Sequence, residues 1–189
     1  MKSLLLAAAL SLPASFAFAA DKYLLDASHS QVIFSYNHLG YSTTTGVFSG
    51  FEGEIMFDAD APDASSVSVS MPIKSMFTGW EKRTGHFLSP DFFDAADGDL
   101  VTFASTSIEV TGDNTALITG DLSMNDVTKS VVLDAVLNKA GTHPMAGKDW
   151  AGFDATATLM RSDFGLGAFA PAVSDEVELR ISVEAMKAE

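Results

Sequence analysis

Residues 23 to 57 alternate. Val32, Phe34, Tyr36 and His38 fall on one side of an extended chain, and Gln31, Ser35 and Asn37 on the other. Further on, Phe51, Ile55 and Phe57 face one way with Gly53 among them, while Glu52 and Glu54 face the other. A period of two marks a β-strand with one dry side and one wet side. Ile33 and Met56 interrupt the pattern without destroying it. The spacing predicts two long strands joined by the polar turn Gly40-Tyr41-Ser42-Thr43-Thr44-Thr45-Gly46, which has glycine at both ends.

The theme recurs along the chain. After the breaker-rich stretch 58–63, Val67, Val69, Met71 and Ile73 alternate with Ser66, Ser68, Ser70 and Pro72. Pro72 lacks a ladder donor, so this third strand is expected to meet an edge or a bulge there. Further strands are predicted at Leu100–Val110, Ala116–Met124, Val127–Asn138 and Trp150–Arg161. Asn125-Asp126 supplies a two-residue hairpin, since both residues tolerate positive φ, and residues 141–147 read as a loop. The last strand is the most legible: Val177, Leu179, Ile181 and Val183 alternate with Glu176, Glu178, Arg180, Ser182 and Glu184.

Residues 75–94 differ in character. Thr78 followed by Glu81 fits a capping box, which predicts a short helix there that Gly85 ends or weakens. Ser89-Pro90-Asp91 is a second helix-start signal. A connection this long and this aromatic is not expected to be a bare loop. It is predicted to pack as a lid over one end of the sheet.

Eight strands joined mostly by short turns predict an all-β fold, an eight-stranded antiparallel barrel with a helical lid between strands three and four. Such a barrel is either filled by side chains or holds one small ligand. It is not a membrane barrel. The polar face of the last strand carries four charges in five residues, which hydrocarbon does not accept, so its apolar face turns inward.

The first 19 residues are expected to be removed. Lys2, the apolar run Leu4–Leu12 and Ala17-Phe18-Ala19 have the form of an export signal. That predicts a periplasmic protein with one domain over residues 20–189. The chain has 11 Lys+Arg against 25 Asp+Glu, and losing Lys2 leaves 10 − 25 = −15. Nucleic acid and anionic surfaces are therefore not expected partners. The chain has no cysteine, which removes disulfides and thiol catalysis.

The chain resembles the YceI-like family of bacterial polyisoprenoid-binding proteins, and the residues that carry the resemblance run through the mature sequence in order. They are Tyr23, Asp26, His29-Ser30, Phe34, His38 and Gly40, then Gly46, Phe48, Phe51 and Gly53. Arg83, His86, Ser89, Asp91-Phe92-Phe93, Phe103 and Ser105 follow. Gly120 to Lys129 is similar to the family's "GDLTLNGVTK" signature, and Arg161-Ser162-Asp163-Phe164-Gly165 and Ile181 to Ala185 complete the match. Departures occur at Thr84, Phe87, Asp126 and Ser130, and the proline usual before the Phe103 strand is missing; most of these concern turns and the lid. The resemblance implies a lipocalin-like barrel whose apolar cavity holds an isoprenoid tail, as of a polyprenyl quinone or polyprenyl lipid, for transport, storage or sequestration. A different long-chain amphiphile, such as a fatty acid or amide, is the alternative cargo, and a filled barrel serving in stress or interaction is the alternative role. A homodimer and a membrane quinone-handling protein are expected partners on the same warrant.

The expected cavity residues are the inward apolar ones: Phe34, Tyr36, Phe51, Ile55, Met71, Phe103, Leu122, Phe153, Leu159, Leu179 and Ile181. The expected lid residues are Met76, Trp80, Phe87, Phe92 and Phe93. Each is equally well placed to be ordinary core. His38, near a strand end, is a candidate for meeting a polar head group, with a hydrogen-bonded structural role as the plainer reading. Arg83 and His86, three apart, are placed to share a helix face toward a head group or to form a structural ion pair. Arg161 is expected to pair with an acid such as Asp163.

No catalytic residue, metal or cofactor is expected. The four histidines lack metal-ligand spacing. Asp26, His29 and Ser30 are the residue types of a hydrolytic triad, but neighbours on one stretch rarely converge as a triad does. A turn held by Asp26 and Ser30 is the better reading. Asp163-Phe164-Gly165 lacks the other kinase elements, and Gly165 to Ala170 lies in no βαβ unit, so neither is read as a nucleotide site.

Overall fold

The computed structural model describes residues 20–189, and the expected export signal lies outside them. The strands are β1 Asp21–Leu25, β2 Gln31–His38, β3 Ser42–Phe48, β4 Glu52–Phe57, β5 Ser66–Pro72, β6 Leu100–Gly112, β7 Thr115–Met124, β8 Val127–Thr142, β9 Asp149–Met160 and β10 Glu176–Lys187. One helix, α1 at Glu81–Phe87, lies between β5 and β6. Neighbours run β1-β4-β5-β6-β7-β8-β9-β10, and β10 pairs back onto β1. The ring is a closed eight-stranded antiparallel barrel. The β2–β3 hairpin extends its wall, with β2 paired to the first half of β10.

Two of the expected long strands are each broken in two. The first breaks at a short 3₁₀ turn, Ala27–His29, capped by the Asp26 carboxylate, which accepts from the Ser28 amide at 2.9 Å. β10 runs past the break unbroken, pairing Ala185 with Leu25 and Ser182 with Gln31. The buried Ser30 hydroxyl bridges the gap by accepting from the Glu184 amide at 3.4 Å. The second strand breaks at residues 49–51, where Gly50 takes φ +68° and Phe51 is buried. Beyond it Gly53 takes φ +139°, and a Cβ there would stand 2.2 Å from the Ser68 carbonyl oxygen. Glycine is what allows β4 to lie that close to β5.

The turn between the halves is tighter than expected. It occupies Leu39 to Tyr41, and Ser42–Phe48 is strand. Thr44, Gly46 and Phe48 face inward, so the hydroxyl run keeps the period of two with small residues in the dry positions. β8 and β10 run longer than expected, to Thr142 and Lys187. Pro72 ends β5, where the ladder to β4 has already stopped at Ser70, so no donor is missed.

The lid segment, 73–99, crosses one end of the barrel. It joins the exposed edge of β3 by a two-way bond between Val47 and Phe77, 2.9 Å each way. The capping box is not formed. Trp80 occupies the N-cap without a side-chain bond. The buried Thr78 instead accepts or donates at 2.9 Å to the Thr84 hydroxyl and bonds the Trp80 carbonyl. Gly85 lies within the helix, which continues to Phe87. Residues 89–93 make turns and no second helix.

Candidate functional site

The barrel is hollow. A cavity of about 470 Å³ runs from the lid to the far end, where the β6–β7 turn and the β4–β5 connection line it. Its wall is nearly all apolar side chain. Inward residues of β9 and β10, among them Phe153, Ala155, Leu159, Leu179 and Ile181, are half-buried although they face the interior. In a filled barrel such positions lose nearly all their accessible surface. Here they keep some because they front a space.

Fifteen of the expected site residues line this cavity. From the strands these are Phe34, Tyr36, Phe51, Ile55, Met71, Phe103, Leu122, Phe153, Leu159, Leu179 and Ile181. From the lid they are Met76, Phe87, Phe92 and Phe93. The lid rings cover this end through tilted and edge-on contacts with the strand aromatics and with each other. Phe87 sits 5.9 Å from Tyr36 and 5.2 Å from Phe92, and Phe93 sits 6.3 Å from Phe48, centroid to centroid.

Four expected residues stand outside the lining. His38 does not continue the inward face: it is exposed and bridges Val173 at the end of β2, where the strand has cleared the barrel. Trp80 is 57% exposed, because its place at the helix start turns it outward while Met76 goes in. Arg83 donates from Nη2 to the Thr78 carbonyl at 2.6 Å and so ties the helix to the segment that follows the Phe77 bridge. His86 faces Asp91 at 3.0 Å on the outside of the lid and rests against Phe92 and Phe169. Arg83 and His86 therefore hold the lid and do not share a face toward the cavity.

Phe48, Val69, Leu137, Val173 and Val177 line the cavity without having been singled out. Val69 and Val177 lie on the same alternating faces as Met71 and Leu179, so the signal for them was present. Phe48 was hidden by the threonine run before it. Val173 belongs to the 161–175 loop, which has no periodicity to read.

Arg161 also lines the cavity, at the lid end, and it does not pair with Asp163. Its Nε donates to the Ser174 carbonyl at 2.8 Å and Nη2 to the Val173 carbonyl at 2.9 Å. Nη1 donates to the carbonyls of Ala168, at 2.7 Å, and Leu166. The guanidinium thus folds the 161–175 loop around itself. Burial pulls its pKa below the ordinary arginine value, while the charge of Asp175 pushes partly back. The Asp175 carboxylate accepts from the Ser162 hydroxyl at 2.6 Å and amide at 2.8 Å, and these bonds hold its pKa down.

Asp26, His29 and Glu184 bring potential ligand atoms within 4.8 Å of one another. They lie on the outside, and His29 Nδ1 is 2.6 Å from the Asp26 carboxylate, so an ion pair accounts for the grouping. Ser30 is turned to Glu184 and does not complete a triad with them.

The comparisons with known proteins agree on one family. The model of the YceI-like domain matches residues 23–185. A UPF0312 protein of Pseudomonas savastanoi is 40% identical over 178 residues, covering 93% of this chain and 91% of its own. A Campylobacter jejuni YCEI protein superposes with a TM-score of 0.72 at 30% identity, over 81% of this chain and 90% of that one. A domain from Saccharophagus degradans described as polyisoprenoid binding shares the fold, with a TM-score of 0.69 at 15% identity, over 88% and 98% of the two chains.

Proposed function

The chain belongs to the YceI-like domain family, and from that premise we propose that it takes up an amphiphilic isoprenoid lipid in its barrel, for transport, storage or sequestration in the periplasm. The observation that carries this reading is the hollow itself: about 470 Å³, walled almost wholly by apolar surface and covered at one end by lid aromatics. Small-molecule sites typically measure about 300–1,000 Å³.

The energetics favour a long tail. Each buried CH₂ contributes about 0.8 kcal/mol. A five-carbon isoprene unit is therefore worth up to about 4 kcal/mol, and a few units outweigh association costs of roughly 4–15 kcal/mol. Such binding needs a dry space and no reacting group, and we assign no chemical step to the protein. The charged N-terminal start, short apolar run and Ala17-Phe18-Ala19 support export.

Native mass spectrometry of protein taken from the periplasm, followed by solvent extraction, tests the proposal. A stoichiometric isoprenoid is the expected result. A fatty acid or amide in its place moves the cargo to another amphiphile. A chain that emerges empty and refuses added isoprenoids overturns the carrier reading, and one retained in the cytoplasm overturns the compartment.

A further inference from the structure

The exposed aromatic rings gather at the lid end. Among the described residues four aromatics are exposed, Tyr41, Phe77, Trp80 and Phe169, and all four stand on segments at this end. Leu39 is exposed beside Tyr41 on the β2–β3 turn. None of the five lines the cavity. The segments are tied to one another. Leu39 donates from its amide to the Ala172 carbonyl at 3.2 Å, and the Ser174 amide donates to the Asn37 carbonyl at 3.0 Å. Phe169, on the same loop as Ala172, lies 6.1 Å from Phe92, centroid to centroid. Phe92 also lines the cavity, so a single ring touches both Phe169 and the hollow.

Two features set this surface apart. The first is strain. Leu39 and Phe169 hold positive φ, 55° and 64°. That region suits glycine, asparagine and aspartate and strains a bulky side chain. Strain of this kind collects at functional surfaces. The second is charge. The chain carries 25 Asp+Glu, yet residues 27–51, 75–80 and 164–174 hold no Asp, Glu, Lys or Arg. The first and last of these are the two longest uncharged runs in residues 20–189. Together the three bear Leu39, Tyr41, Phe77, Trp80 and Phe169. Charge resumes at their border with Glu81, Lys82 and Asp91.

We propose that this end docks on the headgroup layer of a lipid bilayer without net charge, and that the cargo is collected there. The inference rests on the carrier reading above and names the surface from which the ligand comes. Tyrosine and tryptophan settle at membrane–water interfaces, where an apolar ring and a polar tip are both satisfied. Tyr41 is 91% exposed on a hairpin turn. A ring that protrudes in this way enters soft lipid without the matching concavity a protein partner must supply. An anionic surface repels the acids on the rest of the chain, and the uncharged runs present none of them to a neutral one. The rival occupant is a second copy, because among the described residues the outer edge of β3 is bridged only at Val47, and an open edge invites strand addition.

Trp80 reports on the contact directly. The chain has two tryptophans, and Trp150→Phe leaves Trp80 alone. The mature protein is mixed with phosphatidylcholine vesicles carrying brominated acyl chains, and Trp80 fluorescence is followed. A blue shift with quenching is expected, together with flotation of the protein with the vesicles. The double variant Leu39→Asn, Tyr41→Ser is expected to weaken vesicle binding about tenfold or more. Its Tm is expected to stay level or rise, since asparagine suits the backbone at 39, and its affinity for the isoprenoid ketone farnesylacetone in solution to stay unchanged. Phosphatidylglycerol added to the vesicles is expected to weaken binding at low salt. Flotation only with anionic vesicles, or a Trp80 signal that vesicles leave unmoved, overturns the proposal. So does a shift that follows protein concentration without lipid, as a second copy would produce, or a Tm that falls along with vesicle binding. The two readings fail separately. Protein that binds farnesylacetone and ignores vesicles loses the docking surface and keeps the carrier, whereas protein that docks on vesicles and refuses farnesylacetone keeps the surface and loses the carrier.

Discussion

Ala155 offers the sharpest test of whether the barrel is hollow in solution. It sits mid-strand on β9, pairs with Ala135 on one side and Ile181 on the other, and faces the cavity. Ala155→Leu adds three carbons to a surface that fronts a space. Moving them out of water is worth up to about 2.4 kcal/mol. Fixing the leucine rotamer returns about 0.5–1 kcal/mol, and contact with only one wall forfeits part of the remainder. A net gain of about 1 kcal/mol is expected for the ligand-free protein, which raises Tm by about 2–4 °C at this chain length. In a filled barrel the same change overpacks the core and costs about 1–3 kcal/mol, so the two cases differ in sign. The new side chain also takes the room of about three tail carbons, which weakens isoprenoid binding by up to about 50-fold. Differential scanning fluorimetry on delipidated protein, paired with a farnesylacetone titration, reads both. A lowered Tm together with undiminished affinity would mean that the interior is packed and the cavity argument is wrong.

Two further outcomes follow from local geometry. Asn125 and Asp126 form the β7–β8 hairpin with φ of 52° and 59°, and an aspartate in that region is less favoured than glycine. Asp126→Gly should therefore stabilise the protein by about 0.5–1 kcal/mol in urea denaturation; a loss of stability would show that the Asp126 side chain is needed. The second concerns Asp26 and His29. The His29 and Ser28 hydrogen bonds hold the Asp26 pKa below 3.8, and the Asp26 hydrogen bond and charge hold the His29 pKa above 6.5. The Asp26 contribution is complete above its unfolded value and lost as pH falls through the depressed one. The His29 contribution is complete below its unfolded value and lost as pH rises through the raised one. The pair is thus fully stabilising between about pH 4 and pH 6.5, and the difference between wild type and His29→Gln should be largest there. An NMR titration that finds His29 at or below 6.5, or unmoved by Asp26→Asn, contradicts this.

Alternation made most of the barrel legible because the fold needs only one dry face per strand. β5, β7, β9 and β10 stand close to where the period of two puts them. The breaks at 26–30 and 49–51 left no such trace. A strand that kinks against an unbroken partner resumes the same inward pattern, so Val32 and Ile55 read as if nothing intervened. The threonines of β3 read as a turn in sequence because hydroxyl residues serve strands and turns alike. The acceptors around Arg161 were unreadable for a deeper reason. Leu166, Ala168, Val173 and Ser174 contribute carbonyls, which every residue has, so no side-chain pattern announces them. Asp163 looked like the partner because sequence displays charges and hides backbone.

The hollow itself has a sequence origin that alternation alone does not express. Periodicity says which side chains point inward, and size says whether they meet. One stretch of wall is lined by small residues: Ala135 pairs with Ala155, and Ala140 follows further along β8. The aromatic stretches face the same interior without filling it, because two of their rings lie over glycines on neighbouring strands. A Cβ on Gly46 would stand 2.2 Å from Phe34 Cζ, and one on Gly120 would stand 2.4 Å from Phe103 Cζ. Each ring occupies the space of a missing side chain and hugs its own sheet. Phenylalanine paired with glycine therefore supplies apolar surface while keeping the centre open, and Ala135, Ala140 and Ala155 in the wall leave width for a chain of methylenes.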